Sequence, residues 1–243
     1  MLGKILVNYS PNFTTSKRNT KNIKYLVFHY TGMSRESEAI NRLINQSSKV
    51  SCHYYIKRNG QIILMVPETY IAWHAGRSNW NKNSNLNKYS IGIEISNKGH
   101  QFGYEKFSKL QISSIIHLSR YLIKKYKIKK KNVLGHSDIA FDRKKDPGEK
   151  FPWEFLAKKG VGIWHKINCE KLKKFRKKKI HKTEEKKMIN FLKKIGYYTK
   201  NLSKINLVKL VKSFQRRFRP ELINGKIDKE CLVIAQKLSK LYR

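Results

Sequence analysis

A histidine and an aspartate ten residues apart in one loop, His136 and Asp146 of GHSDIAFDRKKDPGEKFPW (residues 135–153), concentrate the chemistry of this chain. A catalytic zinc site takes three protein ligands and keeps one position for water, and this loop can supply two of the three. His29 is the best candidate for the third, because it ends the run Ile23-Lys24-Tyr25-Leu26-Val27-Phe28, where a buried strand would deliver its last side chain to a cleft. Two histidines and a carboxylate suit a catalytic ion. A structural zinc closes all four positions and favours cysteine. In Ser90-Ile91-Gly92-Ile93-Glu94-Ile95-Ser96, alternation sends the isoleucines to one side and Glu94 to the other. Glu94 then faces the cleft as a proton acceptor for water, or stands as a solvated strand residue; the pattern allows both. Lys144, two residues before Asp146, can reach an oxygen that turns negative in a tetrahedral intermediate, although lysine is abundant everywhere in the chain.

The elements that must position these groups are legible nearby. Ile23 to Tyr30 reads as a buried strand, broken by Thr31-Gly32 before Ser34, an expected N-cap with Glu36 and Glu38 in the first turn of a helix. Ser51–Arg58 and Gln61–Val66 form a hairpin around Asn59-Gly60, a dipeptide that suits a type I′ turn. Ser108 and Gln111 make a capping box, and Phe107 and Ile112 a hydrophobic staple, at the start of a second long helix. Val133 and Leu134 give a short strand leading to His136, and Pro152 at a first helical position opens Trp153 to Lys159. Lys171 to Lys187 reads as a linker or a solvated helix face. Beyond it, Met188, Phe191, Leu192 and Ile195, then Leu207, Leu210, Val211 and Phe214, repeat at helical spacing, and Asp228 caps a third helix.

The 54 Lys+Arg against 16 Asp+Glu leave a formal charge of +38, which requires a polyanionic neighbour or reflects a compositional bias toward lysine. Nucleic acid as a specific partner has no motif to accompany the charge, and the lysines are spread along the chain instead of forming one arm. Cys52, Cys169 and Cys231 are odd in number and widely spaced, so neither a disulfide framework nor a cysteine knuckle is indicated. The apolar run at the amino terminus is too short for a signal peptide, and none approaches the ~20 residues of a membrane span.

Taken together, FHYT (28–31), CHYYI (52–56), AWHAGRSNW (72–80), IGIEISN (91–97) and GHSDIAFDRKKDPGEKFPW resemble the zinc N-acetylmuramoyl-L-alanine amidases related to the peptidoglycan recognition proteins, and within them the AmpD and AmiD branch. The resemblance spans roughly residues 20–165. It implies an α/β (α+β) fold, a mixed central β-sheet flanked by helices, with a zinc amidase region over 1–168. It implies His29, His136 and Asp146 as ligands of one zinc, Glu94 as acid/base and Lys144 as partner of the oxyanion. It also implies Trp73, His74, Tyr30 and Asn97 as substrate-binding residues and peptidoglycan or a muropeptide as the substrate of a monomer. Asp138 and Asp142 are nearby alternative carboxylates, but the DPG context favours Asp146.

Two positions depart from the family pattern. Cys52 stands where some phage members carry a catalytic tyrosine, and Phe141-Asp142 replaces the usual Pro-Gly. After a basic linker over 169–183, residues 184–243 form a small three-helix unit in which FQRRFRPELINGKIDKEC (214–231) resembles a peptidoglycan-binding domain. The alternative function is a recognition protein that binds muropeptide without cutting it. Location stays open between the cell envelope, by resemblance, and the cytoplasm, since no export signal or lipobox is read in the chain as given.

Overall fold

The computed structural model describes residues 5–176, 178 and 180–242. Its centre is a six-stranded sheet, numbered here in chain order: β1 (Leu6–Val7), β2 (Tyr25–Tyr30), β3 (Tyr54–Ile56), β4 (Ile62–Leu64), β5 (Ser90–Ile95) and β6 (Val133–Gly135). The spatial order is β1-β4-β3-β5-β2-β6. All neighbours run parallel except the β3–β4 hairpin, so the sheet is mixed. The helices are α1 (Glu36–Ile44), α2 (Lys109–Lys125), α3 (His136–Ile139), α4 (Trp153–Lys158), α5 (Cys169–Arg176), α6 (Lys182–Ile195), α7 (Lys204–Phe218) and α8 (Lys229–Ser239).

Strand alternation divides the core. Leu26 and Phe28 of β2 share a face with Ile91, Ile93 and Ile95 of β5, and α2 and α4 cover that face with Ile115, Leu118, Leu122, Trp153 and Leu156. The capping box expected at Ser108 is present: its hydroxyl accepts from Gln111 N at 3.1 Å, and Gln111 Oε1 accepts from Ser108 N at 3.0 Å. On the opposite face, Tyr25 and Val27 pack with Leu134, Trp80 and the apolar stripes of α6, α7 and α8. Ala39 and Leu43 of α1 pack against Tyr55, Ile63 and Met65 on the far side of that same face. Between α1 and the C-terminal helices the sheet is left open, and this gap is the cleft.

Local details differ from the sequence expectations. The hairpin closes through a three-residue loop, because Gly60 N bonds Lys57 O at 2.9 Å and only Gly60 takes positive φ, +82°. This is a type I turn with a glycine bulge, not type I′; Leu110 O would lie 2.8 Å from a Cβ at Gly60, so the glycine is also required by close packing. Helix α1 starts after Arg35 and not after Ser34, and Pro152 is the N-cap of α4 and not its first residue. Part of the basic stretch is helical, as α5, with Leu172 buried. No helix among the described residues is long and apolar enough to cross a membrane.

Candidate functional site

Strand register builds the site. His29 pairs with Glu94, Glu94 with Tyr55, and Phe28 with Gly135, so His136, next after Gly135, follows beside His29. A row running Tyr55, Glu94, His29, His136 thus crosses four strands on the open face, at the carboxyl ends of the parallel strands, where ligand crevices form in such sheets. Asp146 is brought to the row by its own backbone, since Asp146 O accepts from Ser137 N at 2.8 Å.

The three expected ligands meet. His29 Nδ1 lies 2.9 Å from His136 Nδ1 and 3.1 Å from Asp146 Oδ2, and His136 Nδ1 lies 3.0 Å from the same oxygen. All three residues are buried. The remaining ring atoms show which nitrogens carry protons. Ser90 Oγ donates to Leu86 O at 2.6 Å and therefore accepts from His74 Nε2 at 3.1 Å. His74 Nδ1 must then accept from His29 Nε2 at 3.0 Å, which leaves a lone pair on His29 Nδ1. His136 Nε2 donates to Ala75 O at 3.2 Å, with the same result for its Nδ1. Arg143 holds that carbonyl from the other side at 2.6 Å.

The lowered His29 and His74 agree with this assignment. Burial, and then the His136 imidazole, lower His29 to about 4, so it is neutral near pH 7. Burial and the neighbouring imidazoles keep His74 well below its ordinary value. For Asp146 burial works upward, and the pull of His136 and His29 that holds the carboxyl well below the usual range requires protonated imidazoles; with both Nδ1 atoms unprotonated, a cation among the three groups takes that place. Three electron-pair donors facing one another at about 3 Å repel unless a cation lies among them, and their spacing suits an ion roughly 2.0–2.2 Å from each. The His-His-Asp group could therefore hold one metal ion with a face open to the cleft.

Glu94 borders the same cleft, and its Oε2 is buried without a hydrogen-bond partner. Burial, then the Asp146 charge, push its carboxyl up to about 8, while Lys144 pulls it down. Lys144 also lines the cleft and is close enough for its charge to act on both Glu94 and His29. The cleft encloses about 780 Å³ and takes in Tyr30 and His74. It takes in neither Trp73, whose indole donates to Thr14 Oγ1 at 3.1 Å, nor Asn97, whose amide donates to Glu105 O at 2.9 Å and whose Oδ1 accepts from Gly99 N at 3.0 Å. Asp142 is engaged with Arg77 at 2.5 Å and Asp138 with Arg217, away from the three ligand atoms.

Ser90 and Gly92 were missed as site residues. A Cβ at Gly92 would lie 2.3 Å from the His74 ring, so only glycine leaves the ring its seat on β5. The available signal was the alternation already used for Glu94, since Ser90, Gly92 and Glu94 share one side of the strand.

Fold and cleft define a mixed α/β protein with a place for one metal ion beside a half-buried, unpaired carboxylate. The family model described as N-acetylmuramoyl-L-alanine amidase matches residues 19–149. The N-acetylmuramoyl-L-alanine amidase AmiD of Escherichia coli is 35% identical over 233 residues, 90% of this chain and 83% of that protein. The 1,6-anhydro-N-acetylmuramyl-L-alanine amidase AmpD of Haemophilus influenzae is 40% identical over 107 residues, 44% of this chain and 56% of that one. The solved complex of E. coli AmiD with anhydro-N-acetylmuramic acid-L-Ala-D-gamma-Glu-L-Lys superposes with a TM-score of 0.80 at 32% identity, over 94% of this chain and 92% of that one. AmpDh3 of Pseudomonas aeruginosa, in complex with anhydromuramic pentapeptide, gives 0.80 at 29% identity over 94% and 95%. The chain belongs to the N-acetylmuramoyl-L-alanine amidase family, of the AmpD and AmiD type.

Proposed function

We propose that this protein hydrolyses the amide between the lactyl group of N-acetylmuramic acid and L-alanine in peptidoglycan or in muropeptides released from it, using one zinc ion. The observation that carries the reading is Glu94, with a buried and unpartnered Oε2, lining one cleft with His136 and Asp146 of the converging His-His-Asp donor group. The relatives support it, since AmiD was solved with a muropeptide described as its substrate.

In this reading His29, His136 and Asp146 hold the ion, which when bound supplies a Lewis acid and an activated water. With the cation's charge beside it Glu94 would be held ionised, so that it accepts a proton from the attacking water and returns it to the departing L-alanine nitrogen. The Lys144 ammonium offsets the charge that develops on the amide oxygen. Tyr30 and His74 border the substrate, while Trp73 and Asn97 support the surrounding loops. Residues 1–168 carry the reaction, and one chain holds every group the reaction uses, so the working unit is a monomer. The C-terminal unit over 184–243 contacts the wall polymer through residues outside its motif, because Phe214, Gln215 and Phe218 are themselves buried.

Incubation with sacculi and with soluble anhydro-muropeptides, with products read by mass spectrometry, tests the reaction and ranks the two substrates. Stem peptide beginning at L-alanine is expected, lost after chelation and restored by zinc. Muropeptide that binds the zinc-loaded protein and is recovered uncut would overturn the proposal in favour of a recognition protein.

A further inference from the structure

Helix α3 is one turn long, and an isolated turn does not hold itself. It nevertheless begins with His136. Its fixation comes from the C-terminal helices. The Asp138 carboxylate accepts from Gly135 N at 2.8 Å, from Tyr197 Oη at 2.7 Å and from the Arg217 guanidinium. A second Arg217 nitrogen donates to Val133 O in β6 at 2.8 Å, and the guanidinium carbon lies 4.3 Å from the Trp153 ring centroid. Ser213 Oγ, one turn earlier on α7, donates to Ser137 O at 2.7 Å. The backbone on both sides of His136 is thus gripped from residues 197, 213 and 217.

The ion pair is almost fully buried, with side-chain exposures of 2% for Arg217 and 1% for Asp138. Burying such a pair costs desolvation that its attraction barely offsets, and apolar packing of equal volume is often as stable. Apolar contact, however, is non-directional. A carboxylate with three directed donors fixes orientation, which a metal ligand on a single helical turn needs.

We propose that Arg217 and Tyr197 are positioning residues for the metal site: through Asp138 they set the orientation of the segment that carries His136, making the C-terminal helices a working part of the catalytic centre. This rests on the metal reading above. It gives the C-terminal unit a task inside the molecule whether or not it also contacts the wall.

The test compares the full-length protein with Tyr197→Phe, Arg217→Met and the pair Asp138→Asn/Arg217→Met, which leaves no buried charge unpaired. Arg176→Met, which removes the ion pair to Glu230 on α8, serves as a control for stability alone. Zinc affinity is measured by chelator competition, ligand geometry by the visible spectrum of the cobalt(II)-loaded protein, and folding by thermal unfolding of the metal-free chain. Tyr197→Phe and the paired variant are expected to weaken zinc binding on the order of 10-fold and to shift the cobalt spectrum. The control should lower Tm and leave both readouts unchanged. Variants that bind zinc like the unmodified protein, with an unshifted spectrum, overturn this proposal alone. An unmodified protein that binds no zinc overturns the metal reading and this one with it.

Discussion

Glu94 is set apart by what surrounds it. Among the described residues, every other acid except the exposed Glu185 lies within 4.0 Å of a basic or imidazole nitrogen. In a chain with 54 lysines and arginines, a carboxylate left unpaired with one oxygen buried is a group kept for a transient partner. Glu94→Gln is expected to lower kcat on the order of 10²–10⁴-fold with zinc content unchanged, as measured by turnover and atomic absorption. The same variant carries a stability signature. Between the ordinary value of 4.5 and about 8, Glu94 in the folded, metal-free protein keeps a proton that the unfolded chain has released, so its own contribution to stability declines as pH rises through that window. Because His29 and His74, buried and neutral, act in the opposite direction below their ordinary value, the Glu94 contribution is read as the difference in urea midpoint between the metal-free protein and Glu94→Gln, which should move against the unmodified protein from pH 5 to pH 8. Ser90→Ala removes the acceptor that orients His74, and chelator competition is expected to show zinc affinity reduced about 10-fold. His29, His136 and Asp146 were legible because a strand end and a short loop leave local marks. The proton assignment was not, because it runs through Leu86 O, Ser90 and His74, which no spacing rule connects.

At the scale of elements, β5 shows how one strand serves two purposes. Its isoleucines fill the core beneath α2, and its other face carries a hydroxyl, a gap and a carboxylate in sequence. Gly92→Ala should therefore act on the site and not on the core: the added methyl displaces the His74 ring, and zinc affinity and turnover fall together. Ile93→Val on the opposite face should cost roughly 0.5–1.5 kcal/mol in urea unfolding and leave zinc affinity as it was. Equal zinc affinity in both variants would contradict this division of the strand. Sequence periodicity revealed the β5 alternation, the α2 capping box and the stripes of α6 and α7. It could not reveal that Arg217 faces inward, because a basic residue beside Phe214 and Phe218 reads as a solvated flank until its partner, Asp138, is brought up from 79 residues away. The Phe-Gln motif has a similar lesson. Gln215 clamps the following turn, donating to Lys226 O at 2.9 Å and accepting from Gly225 N at 2.8 Å, so the pattern records how the unit folds.

For the whole molecule, the charge of +38 is the dominant external property. Nearly all the acids are already engaged internally, so the surplus cations face solvent and a polyanion is their natural partner. Retention on anionic wall polymers is expected to fall steeply between 50 mM and 500 mM salt, because exposed charges are screened over roughly 10 Å at 0.1 M. Cleavage of a small soluble muropeptide should change much less over the same range. Sedimentation with sacculi alongside turnover of the soluble substrate separates the two; parallel loss of both would mean that the charge acts inside the cleft.

The ligand triangle joins points 107 and 117 residues apart along the chain. No stretch that stops short of β6 can assemble it, and a chain with misregistered β2 and β6 would lack it as well. Under the zinc site proposed above, metal counted per chain becomes a gauge of correct folding: in a preparation of mixed quality, the stoichiometry of tightly held zinc would measure the fraction of molecules in which the sheet has closed.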